Sequence, residues 1–483
     1  MYPSPREICP HMMSLASLTS HAEGKDYELM SKTKVVVRTH PGIHASSEQT
    51  ILLSESIVRR WRIPTDRSIQ LRCGSLKLKV RVTATSTRNE LRISYQLAHQ
   101  CGIGTQPITL RLAFQAASQT IRIGPIIGVM LNRVTNTPGR RFGIITAFCR
   151  ELTDACRHAG ALVYFFTPDD IRSSQSTIEG WVMGPPEYHG SFPIPDVIYN
   201  RLPSRKLDNE PSLQQFLKSA KTHWHTSIFN EKYLDKTEVF QALRHHLGST
   251  RYLPESHACQ SANQLKMMCT KYRVVFLKPI TGSLGKGILR ISKTRSGYQI
   301  SSSSVVGISK KEYASLNALV TAISGKLRAG KYQIQQGLNL IEVGGRPVDF
   351  RALVQKNITN RWKVTSIVAR TAGNNRFVSN VAQGGTVSTV GQTVNKSNMN
   401  GNKKGASTRL QKAALTIARG IDTKIPFHFG ELGIDLALDQ DGRVWLLEVN
   451  SKPSKNDSSI LTDSAIRPSV KQVVQYARYL ARL

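Results

Sequence analysis

Two carboxylates and one amide near the end of the chain stand in a pattern that could hold a metal ion. They lie in the run Gly433-Ile434-Asp435-Leu436-Ala437-Leu438-Asp439-Gln440-Asp441-Gly442-Arg443-Val444-Trp445-Leu446-Leu447-Glu448-Val449-Asn450. Asp441-Gly442 is a pair that closes two-residue hairpins, so Gln440 is expected opposite Arg443. Counting back from that turn sets Asp435 directly opposite Glu448, with Asn450 two residues further along the same face. Like charges directly opposite each other repel unless a cation lies between them, and three oxygen donors suit Mg²⁺. The opposing reading is a solvated polar face. Against it, Ile434, Leu436, Leu447 and Val449 cover only the other side, and apolar Leu446 sits beside Glu448.

A second run, Val274-Val275-Phe276-Leu277-Lys278-Pro279-Ile280-Thr281-Gly282-Ser283-Leu284-Gly285-Lys286-Gly287-Ile288, delivers a lysine from a strand into a Gly/Ser loop. Backbone N–H groups of such a loop can close over phosphates. The next segments, Ile288 to Ser292 and Tyr298 to Ser301, read as strands, whereas a Walker loop or a dinucleotide fingerprint opens a helix. Either this loop covers phosphates in another manner or it is a flexible hairpin turn with a stray lysine. Between the two runs, Asp349-Phe350-Arg351 begins one strand, and Ile367-Val368-Ala369-Arg370 leads into the polar loop Thr371 to Thr386. Arg351 and Arg370 could steady anionic oxygens as phosphoryl transfer requires; singly, each reads as a surface ion pair.

The elements that position these residues are set by periodicity. From Lys32 to Ile123 the chain runs in short β-like segments, and Ile51-Leu52-Leu53-Ser54 returns forty residues later as Leu91-Arg92-Ile93-Ser94. Two such units suit a small barrel with internal duplication, or a chance likeness between two β-rich stretches. After Gly124-Pro125 the pattern alternates: strand Ile126 to Leu131, a helix across Arg141 to His158 stopped by Gly160, then strand Ala161 to Phe166. The expected fold class is mixed α/β and α+β in several domains. The divisions are a flexible tail (1–30), a basic β-rich, barrel-like domain (31–123), an α/β domain (124–225) and a C-terminal domain carrying the chemistry (226–483).

Composition narrows the classes. Lys and Arg number 66 against 32 Asp and Glu, a net charge of +34, so polyanions are attracted without specificity being set. No zinc finger, RNP aromatic motif or clear helix-turn-helix accompanies that charge, so nucleic acid is not the expected partner. Between Lys32 and Ile123 there are 15 Lys and Arg against 4 Asp and Glu, which suggests docking of an anionic polymer or an acidic protein. The 7 cysteines form no C-x-x-C pair, and His245-His246 and His223/His225 lack a metal-binding frame. No apolar run is long enough for a membrane span, and Pro and Ser interrupt the first twenty residues, so a cytoplasmic protein is expected.

Taken together the motifs resemble the ATP-grasp superfamily, and within it the YheC/YheD family of endospore coat-associated proteins. The order carries the resemblance: Asp235-Lys236 and Leu253-Pro254, Leu277-Lys278-Pro279 with its Gly loop, Gln335-Gln336-Gly337, Asp349-Phe350-Arg351, Ala369-Arg370 with Ser379-Asn380 and Gly384-Gly385, Gly433-Ile434-Asp435, and Leu447-Glu448-Val449-Asn450-Ser451-Lys452-Pro453. The likeness is strong over roughly residues 226 to 460. It implies an α/β pre-grasp domain before an ATP-grasp domain, with ATP and Mg²⁺ (or Mn²⁺) as cofactors. Lys236 and Lys278 would bind the nucleotide, Gly282, Ser283, Gly285 and Gly287 would form a flap over its phosphates, backbone groups of Gln336 and Leu338 would read adenine, and Asp349 would lie near the ribose. Asp435, Glu448 and Asn450 would hold the metal, while Arg351, Arg370 and Lys278 would steady the transferring phosphoryl group. The hinge departs from many relatives, with Gln335-Gln336 where they carry an acidic residue. The implied activity is a carboxylate-amine ligase working through an acyl phosphate, associated with the spore coat. Its alternative is a non-catalytic coat protein that keeps the fold; the basic domain would dock a coat protein or anionic polymer.

Overall fold

The computed structural model describes residues 31–42, 49–135, 137, 139–172, 176–184, 187–280, 287–303, 308–329, 331–373, 385–455 and 466–483. Its first seven strands, Ser31–Thr39, Gln49–Ser54, Ile69–Cys73, Leu76–Thr85, Glu90–Ile93, Ile108–Gln115 and Thr120–Gly124, close into a barrel. Closure rests on strict alternation. In Leu76–Thr85, for example, Val80 and Val82 point inward while Lys77, Lys79 and Arg81 point out. The two similar stretches each form a strand followed by a short helix, Glu55–Trp61 and Tyr95–Gln100. Ser94 caps its helix by accepting from Leu97 N at 3.1 Å, whereas Ser54 instead exchanges hydrogen bonds with the backbone of Glu90, stitching the two units together.

The chain passes directly from the barrel into an open sheet. Buried Asp196 fastens the junction, accepting from Ile126 N at 2.9 Å and from Arg122 on the barrel wall at 3.1 Å. Ile126–Met130, Leu162–Phe166, Val197–Asn200 and Ser227–Phe229 pair in parallel, extended on one side by antiparallel Thr177–Val182 and Tyr188–Pro193. The expected helix is found as Thr146–Ala159, ended by Gly160 in the left-handed region at φ 75°. The last helix, Pro468–Ala481, takes a place that periodicity did not suggest. It leaves the C-terminal half and buries Val470, Val473, Val474 and Tyr476 in the core of this parallel sheet.

The C-terminal half is built on two antiparallel sheets. The smaller runs Ser256–Ala258, Tyr332–Gln336, Val274–Pro279, Leu289–Lys293, Tyr298–Ser303 and Ile308–Tyr313, with helices Ala262–Lys271 and Leu316–Ala329 packed on one face. The larger runs Thr386–Ser388, Trp362–Thr371, Arg346–Lys356, Glu431–Leu438 and Val444–Asn450, with the short strand Glu342–Val343 beside Arg346–Lys356. Helices Ala406–Lys424 and Lys236–Arg244 share its apolar core.

A buried polar knot joins the larger sheet to the parallel one. Glu431, fully buried, accepts from Lys455 Nζ at 2.5 Å, Gln355 Nε2 at 3.1 Å and the Tyr199 hydroxyl, with Arg201 Nη1 3.4 Å away. Desolvation would raise its pKa, but Lys455 and Arg201 outweigh burial and hold it below the usual carboxylate value. Glu431→Ala strands two buried cations, so a loss of about 3–5 kcal/mol is expected, read as a large drop in denaturant midpoint. Because the folded pKa lies below the unfolded one, the stabilisation exists above the unfolded carboxylate value and vanishes as pH falls through the folded one. Glu431→Gln should therefore show a flatter acid limb of stability than the parent; an unchanged acid limb would remove Glu431 from this role.

Candidate active site

The face of the larger sheet turned away from its apolar core carries charged residues in ladder register. Arg351 lies opposite Asp435 and Asp435 opposite Glu448, while Asp349, two residues from Arg351 on the same face, lies opposite Arg370. The alternate residues Val348, Phe350 and Ala352 are fully buried in the apolar core on the other side, which fixes the direction of the charged set. Arg351 grips both oxygens of Asp435, its Nη2 at 3.0 Å from Oδ2. Arg370 grips Asp349 at 2.6 and 2.9 Å and reaches Asp435 Oδ2 at 3.2 Å. Burial alone would raise the pKa of Asp435; the two guanidiniums reverse that and hold it below the ordinary carboxylate value. Burial likewise acts to lower the pKa of Arg370, and Asp435 and Asp349 overcome it.

Asp435 and Glu448 face each other as expected, but by a different route. The turn does not pair Gln440 with Arg443. Asp439 N donates to Arg443 O at 3.0 Å, Gly442 takes a φ of 82°, and Leu438 pairs with Val444. That register is one residue off the expected count. A bulge opposite the step from Asp435 to Leu436 absorbs Leu447 and restores Asp435 to its place opposite Glu448. Trp445 Nε1, donating to Asp439 Oδ2 at 2.8 Å, pins the turn.

Glu448 pairs with Lys236 at 3.1 Å, and Lys236 is the first residue of helix Lys236–Arg244, whose N-cap Asp235 accepts from Thr237 N and Glu238 N. Asn450 lies opposite Gly433. A Cβ on Gly433 would come 3.0 Å from Pro453 and 3.4 Å from Arg351 Nη1, so glycine leaves room for the guanidinium to cross. Beyond Asn450, Ser451 Oγ accepts from Leu234 N at 3.2 Å and donates to Lys232 O at 2.7 Å. Lys452 Nζ is buried between Asn200 Oδ1 at 2.9 Å and Asp208 Oδ1 at 2.7 Å, and burial brings its pKa down to about 8. Sequence reading missed this clamp. The one signal was the position of Ser451-Lys452-Pro453 directly after the proposed metal ligands.

Lys278 comes from the smaller sheet, opposite Gln333, and donates to the side-chain carbonyl of Gln335, whose Nε2 in turn donates to Ser256 Oγ at 3.1 Å. Its pKa falls to about 8 through desolvation, with Lys236 adding to the fall and Glu448 and Asp435 opposing it. Lys278 thus lies within electrostatic reach of Lys236, Glu448 and Asp435, which come from the other sheet and a helix. Gln336 sits against Glu255, donating its N–H to Glu255 O at 2.9 Å and accepting from Glu255 N at 2.7 Å through its side chain. Leu338 is half-buried just past Gly337, where a Cβ would press into Val274 at 2.6 Å. Gly287 has a φ of 74°, while Gly282, Ser283 and Gly285 lie outside the described residues, as do Ser379-Asn380 and Gly384.

Among the described residues no group of three or more His, Cys, Asp and Glu side chains gathers as a metal site. Two carboxylates and an amide oxygen are nevertheless the donor chemistry of a hard cation. Glu448 and Asn450, both partly exposed, fit that part, whereas Asp435 already faces three guanidinium nitrogens, two on Oδ2 and one on Oδ1, which leaves it one lone pair for a cation unless a guanidinium shifts.

A strand-borne lysine across from arginines and carboxylates, set on two antiparallel sheets, is the arrangement of an ATP-grasp protein. The chain belongs to the YheC/D like ATP-grasp family, whose model matches residues 225–480. It is 27% identical over 418 residues to the endospore coat-associated protein YheD of Bacillus subtilis (strain 168), covering 86% of this chain and 90% of that one. Endospore coat-associated protein YheC of the same organism is 23% identical over 325 residues, 64% of this chain and 85% of the relative. Among solved structures, D-cycloserine synthetase DcsG aligns over 73% of this chain and 99% of its own at 11% identity and a TM-score of 0.43.

The two carboxylates should respond differently to neutralisation. Asp435→Asn removes the charge shared by two largely buried arginines and should lower the melting temperature by several degrees. Glu448→Gln removes one partner of a single, partly exposed pair and should melt within about two degrees of the parent. Thermal melts of both variants check this, and equal losses would contradict the unequal sharing of charge between Asp435 and Glu448.

Proposed function

We propose that the chain binds Mg-ATP between its two antiparallel sheets and uses it as a carboxylate-amine ligase, in association with the spore coat. The observation that carries the reading is the convergence of Lys278 and Lys236 with Arg351, Arg370, Asp435 and Glu448 from separate elements. Such a concentration of fixed cations and carboxylates suits a triphosphate with its metal better than a surface ion pair. The endospore coat association in the names of YheD and YheC supports the location.

In this reading a carboxylate oxygen of the first substrate attacks the γ-phosphorus, the bond to the β–γ bridging oxygen breaks, and ADP leaves. An amine then attacks the acyl carbon, phosphate departs and the amine loses a proton. Glu448 and Asn450, with Asp435 once a guanidinium shifts, would hold Mg²⁺, which supplies charge neutralisation at the phosphate oxygens. Lys278 meets those oxygens from the smaller sheet, held in line by Gln335. Arg351 and Arg370, each with a guanidinium of five N–H donors, would steady the transferring phosphoryl group. Gln336 and Leu338 would read adenine, Asp349 would lie near the ribose, and Gly282, Ser283, Gly285 and Gly287 would form a covering flap, as the family resemblance implies.

The test is an ATP-turnover screen against acids and amines, reading ADP and phosphate. Lys278→Ala should melt within a few degrees of the parent yet lose about 10²-fold or more of acceptor-dependent ADP release, as when one electrostatic contact at a reacting centre is removed. Lys286→Ala should cost less. Nucleotide binding with no turnover on any acid and amine pair would favour a non-catalytic coat protein; full turnover in Lys278→Ala would overturn the placement of the phosphates. Since Lys278 titrates near 8, nucleotide affinity should weaken as pH rises from 7 to 9 and its ammonium is lost. Lys278→Arg should flatten that dependence, checked by calorimetric titration across the range.

A further inference from the structure

The barrel's outer wall carries a line of cations that the proposed chemistry does not use. In strand Leu76–Thr85 the outward positions are Lys77, Lys79 and Arg81, all exposed, followed by Thr83. Residues two apart on one face of a strand are about 6.6–6.8 Å from each other, so the three charges form a straight row. Helix Glu55–Trp61 packs beside this strand and adds exposed Arg60, with Arg62 directly after it. Of the region's acids, Glu55 pairs with Arg59 at 2.6 Å, and Glu90 with Arg38 and Arg92 at 3.3 and 3.1 Å. Across the ladder Lys79 faces Gln70, Arg81 faces Thr50, and Lys77 faces another cation, Arg72. Like charges opposite one another on a sheet face cost stability unless something outside the sheet offsets them.

We propose that this row is a docking surface for a linear phosphate polymer that carries no bases. Two features select that partner. The barrel is closed, the strand pairing with Ile69–Cys73 over Leu76 to Val80 and with Gln49–Ser54 over Val80 to Thr85, so the outer face attracts through side-chain charge. Single-stranded nucleic acid is held by stacking on aromatic faces in addition to charge. Here Trp61 is buried, and the exposed rings Tyr95 and His99 stand on the other helix, away from the row. A repeating line of charge without rings matches a polymer that repeats charge without rings.

The experiment uses the full chain and fluorescently labelled long-chain inorganic polyphosphate at several salt concentrations. Tight binding with a steep salt dependence is expected. The triple variant Lys77→Gln, Lys79→Gln, Arg81→Gln should bind at least tenfold more weakly, with a salt slope shallower by two or three, while circular dichroism and ATP turnover stay as in the parent. A control triple variant, Lys310→Gln, Lys311→Gln, Lys326→Gln, removes the same charge from exposed positions of the smaller sheet and its helix and should bind as the parent does. The proposal fails if the two triple variants lose affinity equally. It fails as well if polyphosphate does not bind, or if single-stranded DNA or polyglutamate of matched charge binds more tightly.

Discussion

Glu431 is the first residue of the strand that carries Asp435, and its carboxylate is reached by groups from three places. Tyr199 and Arg201 come from the parallel sheet, Gln355 from the neighbouring antiparallel strand, and Lys455 from the segment after Asn450. A carboxylate buried this deeply is tolerated only because cations and donors surround it, and they in turn can be buried only because it is there. That mutual dependence fixes where the parallel sheet stands against the strands bearing the charged site. Four residues along from Glu431 comes Asp435, and five back from Lys455 comes Asn450. Any drift of this knot is thus passed on to the site within a turn or two of chain.

The same logic repeats at smaller scale. Lys452 is held by Asp208 and Asn200, and Ser451 by the backbone at Lys232 and Leu234, so the segment leaving Asn450 cannot slide. On the opposite side Gln335 and Ser256 hold Lys278. Lys278, Glu448, Arg351 and Arg370 are therefore each backed by a second polar group. Preorganisation of this kind is what keeps charged groups aimed at a phosphate without reorganising during a reaction.

Legibility in the sequence divided along these lines. Alternation and turn residues were enough to expect the barrel strands, the helix ended by Gly160 and the pairing of Asp435 with Glu448, because these depend on neighbours in the chain. The turn at Gly442 shows the limit: Asp441-Gly442 favoured a two-residue loop, and the pairing survived only because a bulge at Leu447, which has no local signature, cancelled the error. Asp208, Glu431 and Lys455 gave no signal, since a buried charge is marked by partners far away in sequence and not by its own surroundings. That Arg351 and Arg370 would share Asp435 was equally invisible, although each arginine was singled out, because sharing is a property of register across three strands.

The return of helix Pro468–Ala481 to the parallel sheet has a consequence for how the molecule comes to be made. Arg467, at its start, binds Glu151 more than three hundred residues earlier, and Tyr476 stacks its ring edge against Phe229 in the sheet's core. A ribosome finishes the strands of that sheet long before it releases the helix that covers them. During that interval helix Thr146–Ala159 covers only part of the apolar face, and the rest must wait while the two antiparallel sheets assemble. Contacts so distant in sequence are slow to form and leave apolar surface open to aggregation in the meantime. The parallel sheet, synthesised before the two antiparallel sheets, is thereby completed only after them.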